Sequence, residues 1–138
     1  MSYLLDTNVL SELTKPTPEQ AVVDWFVAQR RKELWVSVIT LGEIERGILL
    51  LDEGRKKQNL LNWLKSIRVQ FAEQTLAIDD DVMKDWAALY SKPAHKGTMK
   101  DALDSLLAAT SSHHSLTIAT RNKSDFPDEI TTFNPWKV

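Results

Sequence analysis

Short apolar runs alternate along this chain with stretches whose apolar residues recur every three or four positions, the pattern of strands alternating with helices. The first run, Tyr3-Leu-Leu5, reads as a buried strand that ends at Asp6 and turns into a helix near Asn8. Lys15-Pro-Thr-Pro18 breaks the pattern, and a second helix opens at Thr17 or Pro18 and runs to about Arg31, with Val22, Val23, Phe26 and Val27 on one face. Arg30-Arg31-Lys32 would close its last turn, where cations suit the helix dipole. Leu34-Trp-Val-Ser37 is a second strand, and Ile39 to Asp52 a third helix with the stripe Leu41, Ile44, Ile48 and Leu51. Leu60, Leu61, Leu64 and Ile67 mark a fourth helix, Thr75 to Ile78 a third strand, and Asp79 to Ser91 a helix with Val82, Trp86, Leu89 and Tyr90 facing inward.

The polar segment Lys92 to Lys100, with Pro93 and Gly97, predicts a loop. A helix from Ala102 to His113 follows, with Leu103, Leu106, Leu107 and Thr110 inside, then a strand from Leu116 to Thr120, a turn, and a fifth strand from Ile130 to Phe133. Strands alternating with helices predict an α/β domain over residues 1–138 whose mainly parallel sheet is covered on both faces.

Composition narrows the chemistry. No apolar run approaches the roughly eighteen residues of a membrane span, and the start lacks a signal peptide's regions, so a cytoplasmic protein is expected. The chain has no cysteine and three histidines, which removes thiolate chemistry and makes a hard, oxygen-bound metal the kind to expect. A net charge of -2 does not advertise a nucleic-acid binder, yet a divalent ion would reverse the local sign of an acidic pocket.

The acids carry the functional signal. Asp6 and Asp125 follow the first and fourth strands, and Glu43 and Asp104 lie in the first two turns of helices, so all four could meet at one edge of the sheet. Two have a structural alternative: Asp6 suits a helix cap, and Thr40-Leu-Gly-Glu43 fits a capping box, whereas Asp104 sits at the edge of a buried helix face, where a charge is rarely free. Two like charges about 4 Å apart cost roughly 1 kcal/mol in water and roughly 4 at an effective dielectric of 20, so such a cluster asks for cations or protonation. Magnesium or manganese, held through one or two carboxylates and several waters, would supply the former. Asp79-Asp-Asp81 and Asp101 read as helix first-turn charge, the three histidines as solvated, and the tryptophans as core or subunit interface.

Five segments in order, Leu5-Asp-Thr-Asn-Val-Leu10, Leu41-Gly-Glu-Ile-Glu-Arg-Gly47, Asp104-Ser-Leu-Leu-Ala-Ala-Thr110, Thr120-Arg-Asn-Lys-Ser-Asp-Phe126 and Asn134-Pro-Trp136, resemble the PIN-domain ribonucleases, specifically VapC-type toxins of the FitB-like branch. The resemblance implies a three-layer α/β/α sandwich, an acidic quartet of Asp6, Glu43, Asp104 and Asp125, and supporting hydrogen bonds from Thr7, Asn8, Thr120 and Asn122. It further implies a Mg2+- or Mn2+-dependent endoribonuclease toxin, dimeric, acting on structured RNA such as tRNA, and silenced by a VapB-type antitoxin whose tail enters the pocket. The chain departs from the family's pattern at Ser105 and in Ser111-Ser-His-His-Ser-Leu116, which bear on local packing and the end of the helix rather than on the quartet.

The expected reaction is hydrolysis of an RNA phosphodiester by water. In it Asp6 and Asp104 hold the principal ion; Glu43 and Asp125 complete its shell, position a second ion or take the water's proton. Arg46, Lys92, Lys96, Lys100, Arg121 and Lys123 are the candidate phosphate contacts. Two rivals are a PIN-like module that binds RNA or a partner without cutting it, and a receiver-like domain with Asp79 as phosphate acceptor. Exposed apolar positions on the second and fourth helices make a homodimer the expected oligomer.

Overall fold

A computed structural model describes residues 1–95, 97, 99 and 101–137. Five parallel strands, β1 (Tyr3–Leu5), β2 (Leu34–Ser37), β3 (Thr75–Leu76), β4 (Thr117–Ala119) and β5 (Thr132–Phe133), form one sheet in the order β3-β2-β1-β4-β5. Six helices connect them: α1 (Thr7–Glu12), α2 (Gln20–Ala28), α3 (Val38–Leu49), α4 (Arg55–Gln70), α5 (Asp80–Tyr90) and α6 (Ala102–His113).

The period of two along each strand divides the core. Leu5, Leu34, Val36 and Ala119 enter a cluster with Val9, Val22, Trp25, Leu41, Ile44, Ile48, Leu64 and Ile67 from α1 to α4. Leu4 and Ile118 point the other way, to Leu89 of α5 and Leu107 and Ala108 of α6. Both faces of the sheet are thereby covered, the three-layer α/β/α arrangement expected from the sequence. With β1 central, the carboxyl end where Asp6 stands lies beside the ends of β2 and β4.

Several elements differ from the sequence reading. Helix α2 starts at Gln20 and ends at Ala28, and Arg31–Glu33 form a separate 3-10 turn, so the basic cluster lies outside the helix. The Arg31 guanidinium stacks 4.9 Å from the centre of the Phe71 ring and donates to Gln70 (3.0 Å). Val27, expected inside, is 75% exposed, while Trp25 is buried. At 100° per residue Trp25 lies 60° from Val22 and Val27 lies about 140° away. Leu103, in the first turn of α6, is likewise 40% exposed. Strands β3 and β5 are two residues each, shorter than the apolar runs that mark them, as befits sheet edges.

Candidate active site

Asp6 is the helix cap that the sequence allowed, and it also accepts a hydrogen bond from across the sheet. Its Oδ1 accepts the backbone N–H of Thr7 (2.8 Å) at the start of α1, while Oδ2 accepts the Thr120 hydroxyl (2.7 Å) and, at greater length, the Asn8 amide (3.4 Å). Thr120 Oγ1 in turn accepts from Asn8 Nδ2 (3.3 Å) and the backbone N–H of Asn122 (3.0 Å). Asn122 enters this network through its main chain. The hydroxyl of Thr120 thus ties the end of β4 to the end of β1 across the middle of the sheet.

Glu43 is not part of a capping box. Ser37 caps α3, accepting from Ile39 N–H (3.0 Å), and Glu43 Oε1 instead accepts the Thr7 hydroxyl (2.9 Å). Asp104 stands in the first turn of α6, half-buried, behind Asp101, whose Oδ1 caps the helix by accepting from Leu103 (2.8 Å) and Asp104 (3.1 Å). Asp125 closes a 3-10 turn after β4 and is exposed.

These carboxylates feel one another. Burial and the charges of Asp101, Asp6, Asp125 and Glu43 push the Asp104 carboxyl up to about 7. Burial also raises Asp6, against the pull of the Thr120 hydroxyl and Thr7 N–H, with Asp125 adding a further push. Glu43 is raised by burial, opposed by the Thr7 hydroxyl and reinforced by Asp6 and Asp101. The fold therefore concentrates negative charge at the carboxyl end of β1 and β4. Among the described residues, none of the lysine or arginine ion pairs falls on the four acids.

Among the described residues no three Asp, Glu or His side chains converge into a ready ion cage. The donors are nevertheless all carboxylate oxygen and mutually repelling, which fits a hard cation taken through one or two carboxylates with water filling the remaining positions.

Asp101, read from sequence as cap charge, is the cap and also the strongest single charge acting on Asp104. Residue spacing cannot show both roles. Lys15 and Lys56, absent from the expected phosphate contacts, line a cleft of about 370 Å³ with Thr7 and Glu43. Of the expected contacts, Arg121 lies over the Trp136 ring (5.3 Å), Lys92 pairs with Glu129 (3.6 Å), Arg46 and Lys123 are exposed, and Lys96 and Lys100 lie outside the described residues. His95, expected to be solvated, has its Nε2 2.6 and 2.8 Å from the Glu129 carboxylate oxygens and is largely covered. Asp79 is an exposed helix cap beyond the edge strand β3, away from the central strand end that a receiver-like site needs.

Thr120 offers a direct test of this network. Thr120→Val leaves buried Asp6 without its shortest donor and is expected to cost about 1–3 kcal/mol near neutral pH, read by urea unfolding, with Thr120→Ser close to wild type. Equal stability of the Val variant would show that the bond does not hold the site.

A PIN domain model matches residues 3–128. Toxin FitB of Neisseria gonorrhoeae is 39% identical over 135 residues, 96% of this chain and 97% of that protein. VapC ribonuclease Y4jK of Sinorhizobium fredii is 32% identical over 136 residues, 97% of each. The crystal structure of FitAcB from Neisseria gonorrhoeae superposes with a TM-score of 0.90 at 38% identity, covering 99% of both chains. With that match spanning the whole sheet and both helical layers, and with relatives above 30% identity along nearly its full length, this chain belongs to the PIN-domain family, in the branch of FitB and the VapC ribonucleases.

Proposed function

We propose that this chain is a Mg2+- or Mn2+-dependent endoribonuclease, the toxin of a toxin–antitoxin pair, which hydrolyses phosphodiesters of structured RNA such as tRNA in the cytoplasm. The observation that carries the reading is the placement of the acids: Asp6 caps α1 at the end of β1, Glu43 bonds Thr7 beside it, and Asp104 of α6 and Asp125 after β4 lie near enough for their charges to act on one another. Such a pocket repels RNA until a cation enters it. The membership in a branch that includes Toxin FitB and a VapC ribonuclease supports the same reaction.

In this mechanism Asp6 and Asp104 would hold the ion, and Glu43 and Asp125 would complete the oxygen set. A bound divalent ion makes water a stronger nucleophile near neutral pH and offsets charge on the phosphate. Thr120 and Asn8 orient Asp6, and Thr7 orients Glu43 through hydrogen bonds that hold each carboxylate to one direction. Asp125, exposed and without such a tether from Thr7 or Thr120, takes the proton of the attacking water. The leaving 3′-oxygen departs opposite the incoming water, so no 2′-hydroxyl is consumed.

A VapB-type antitoxin covers this pocket and silences it, a reading supported by the likeness to FitB and to the FitAcB complex. The reading includes a homodimer, to which Val27 of α2 and Val69 of α4, 75% and 74% exposed, would offer apolar positions. No described helix is long and apolar enough to cross a membrane.

The test is cleavage of total RNA by antitoxin-free protein, with and without Mg2+ or Mn2+, followed by analysis of fragment ends. Metal-dependent cuts with 5′-phosphate and 3′-hydroxyl ends are expected. A 2′,3′-cyclic phosphate would overturn the hydrolytic mechanism, and no cutting in any metal would favour a binding module.

A further inference from the structure

A cleft of about 430 Å³ opens beside the acids, between the end of α5, the start of α6 and the segment after β4. On its wall His95 Nε2 stands 2.6 and 2.8 Å from the two oxygens of Glu129, and Lys92 Nζ lies 3.6 Å from the same carboxylate. A carboxylate only accepts, so Nε2 carries the proton that is shared. His95 ends the 3-10 turn Pro93–His95 that leaves α5, whereas Glu129 lies in the chain four residues beyond Asp125. The imidazole is largely covered although Lys92, Pro93 and Ala94 before it are exposed. The bond therefore joins two segments that the sequence keeps far apart.

Contacts continue inward from this bond. The His95 ring lies 6.2 Å from that of Tyr90, and Tyr90 lies 6.2 Å from Trp86, whose indole N–H donates to Ser105 Oγ (2.9 Å). Ser105 is buried next to Asp104 and donates in turn to the Ala102 carbonyl (2.6 Å) in the first turn of α6. Behind Asp125, Phe126 and Ile130 are buried in one cluster with Leu107 and Ala108 of the same helix. Side chains thus run without a break from the turn that bears Asp104 to the segment that bears Asp125. Two carboxylates left to themselves move apart, so a spacing suited to a shared cation has to be held by the fold.

We infer that His95 and Glu129 are positioning residues, a clamp that holds Asp104 and Asp125 at the spacing a divalent ion requires before the ion arrives. The clamp acts through the two acids and contacts neither metal nor RNA. Oxygens already in place lose less freedom on binding, which strengthens binding without any new contact. Side chains that orient metal ligands from behind are typically worth roughly 10–100-fold in affinity or activity. At saturating metal the two acids are tied together by their shared ligand, so the clamp governs affinity and not turnover. The inference rests on the metal-dependent reading and adds two residues that set how tightly the metal is held.

The charge of Glu129 could by itself attract a cation, and three variants separate that field from the clamp. Mn2+ binding to antitoxin-free protein is followed by the EPR signal of the free ion, and cleavage of total RNA is measured at limiting and at saturating Mn2+. Glu129→Ala is expected to weaken Mn2+ binding about tenfold or more, while Glu129→Gln, which keeps an acceptor for His95 and loses the charge, stays within about threefold of wild type. His95→Ala keeps the carboxylate and removes its partner, so the field alone would leave Mn2+ affinity unchanged or raise it. A broken clamp instead lowers it about tenfold. At saturating Mn2+ each variant should cleave within about threefold of wild type. Glu129→Gln binding as weakly as Glu129→Ala, His95→Ala binding as tightly as wild type, or a variant whose lost cleavage saturating Mn2+ does not restore would overturn the inference. Wild-type protein that binds no Mn2+ would overturn the metal-dependent reading and the clamp with it. RNA left uncut by Mn2+-loaded wild type would overturn only the hydrolytic reading, and the affinity pattern would still assign the clamp.

Discussion

Asp104→Asn is expected to lower RNA cleavage by about 100-fold or more while making the metal-free protein more stable. The first effect follows from the proposed role of Asp104 as a ligand of the divalent ion: groups that merely orient a ligand are typically worth roughly 10–100-fold in affinity or activity, and a direct ligand at least as much. The second follows from the same residue's surroundings. Burial and the charges of Asp101, Asp6, Asp125 and Glu43 lift Asp104 from 3.8 to about 7, so near pH 7.5 the folded state carries a charge it disfavours. At about 1.4 kcal/mol per unit the full shift would correspond to roughly 4 kcal/mol, and screening by solvent at a half-exposed carboxylate reduces this to about 1–2. Asparagine keeps the shape and removes the charge. Thermal unfolding in chelator should therefore rise by about 5 °C as cleavage disappears. A variant that loses activity and stability together would point to a structural role for Asp104.

Acidifying the metal-free protein should have the same direction of effect. A carboxyl whose folded pKa is raised contributes stability that is fully present below its unfolded value and is lost as pH rises through the folded value. For Asp104 that window runs from about pH 4 to about 7, and the raised Asp6 and Glu43 act in the same direction from their ordinary values upward. Glu12, lowered chiefly by its bond from Lys15, and Glu129, lowered chiefly by His95, work oppositely below the ordinary glutamate range. The metal-free unfolding temperature is thus expected to climb as pH falls from 8 to about 5 and to turn down in stronger acid. Saturating Mn2+ should flatten the upper limb, because an ion bound by Asp104 requires the deprotonated form. At limiting metal, cleavage should fall about tenfold per pH unit below 7, as protons compete for that carboxylate. Stability that rises steadily from pH 5 to 8 in chelator would contradict this account.

Much of the frame was legible because burial on both faces leaves a plain mark on a parallel sheet. The runs at Tyr3, Leu34 and Leu116 became strands and the stripe through Leu41, Ile44 and Ile48 became the inner face of α3, since nothing else in those segments could bury that much apolar surface. Element ends were less legible. Val27 and Leu103 match the apolar pattern but lie exposed, because a residue's spacing fixes its angle on the helix and leaves open whether sheet lies beneath it. The motif order also marked Asp6, Glu43, Asp104 and Asp125, which the fold carries to one end of the sheet from segments more than a hundred residues apart.

The chain by itself determined the alternation of strand and helix, the absence of thiol chemistry, the placement of single acids at strand and helix ends, and the resemblance those acids carry. All of these depend on residue type and local spacing. Tertiary structure decided what each acid touches: that Asp6 caps α1 and also receives Thr120, that Glu43 turns from its own helix to Thr7, and that Asp101 loads charge onto Asp104. It also decided that a cleft of about 430 Å³, lined in part by Asp101 and Asp125, opens beside them. The physical reason is that hydrogen bonds, burial and charge coupling act over a few ångströms in space. Only the parallel pairing of β1 with β4 brings Asp6 and Thr120 within that range, and only its pairing with β2 sets Glu43 of the following helix against Thr7.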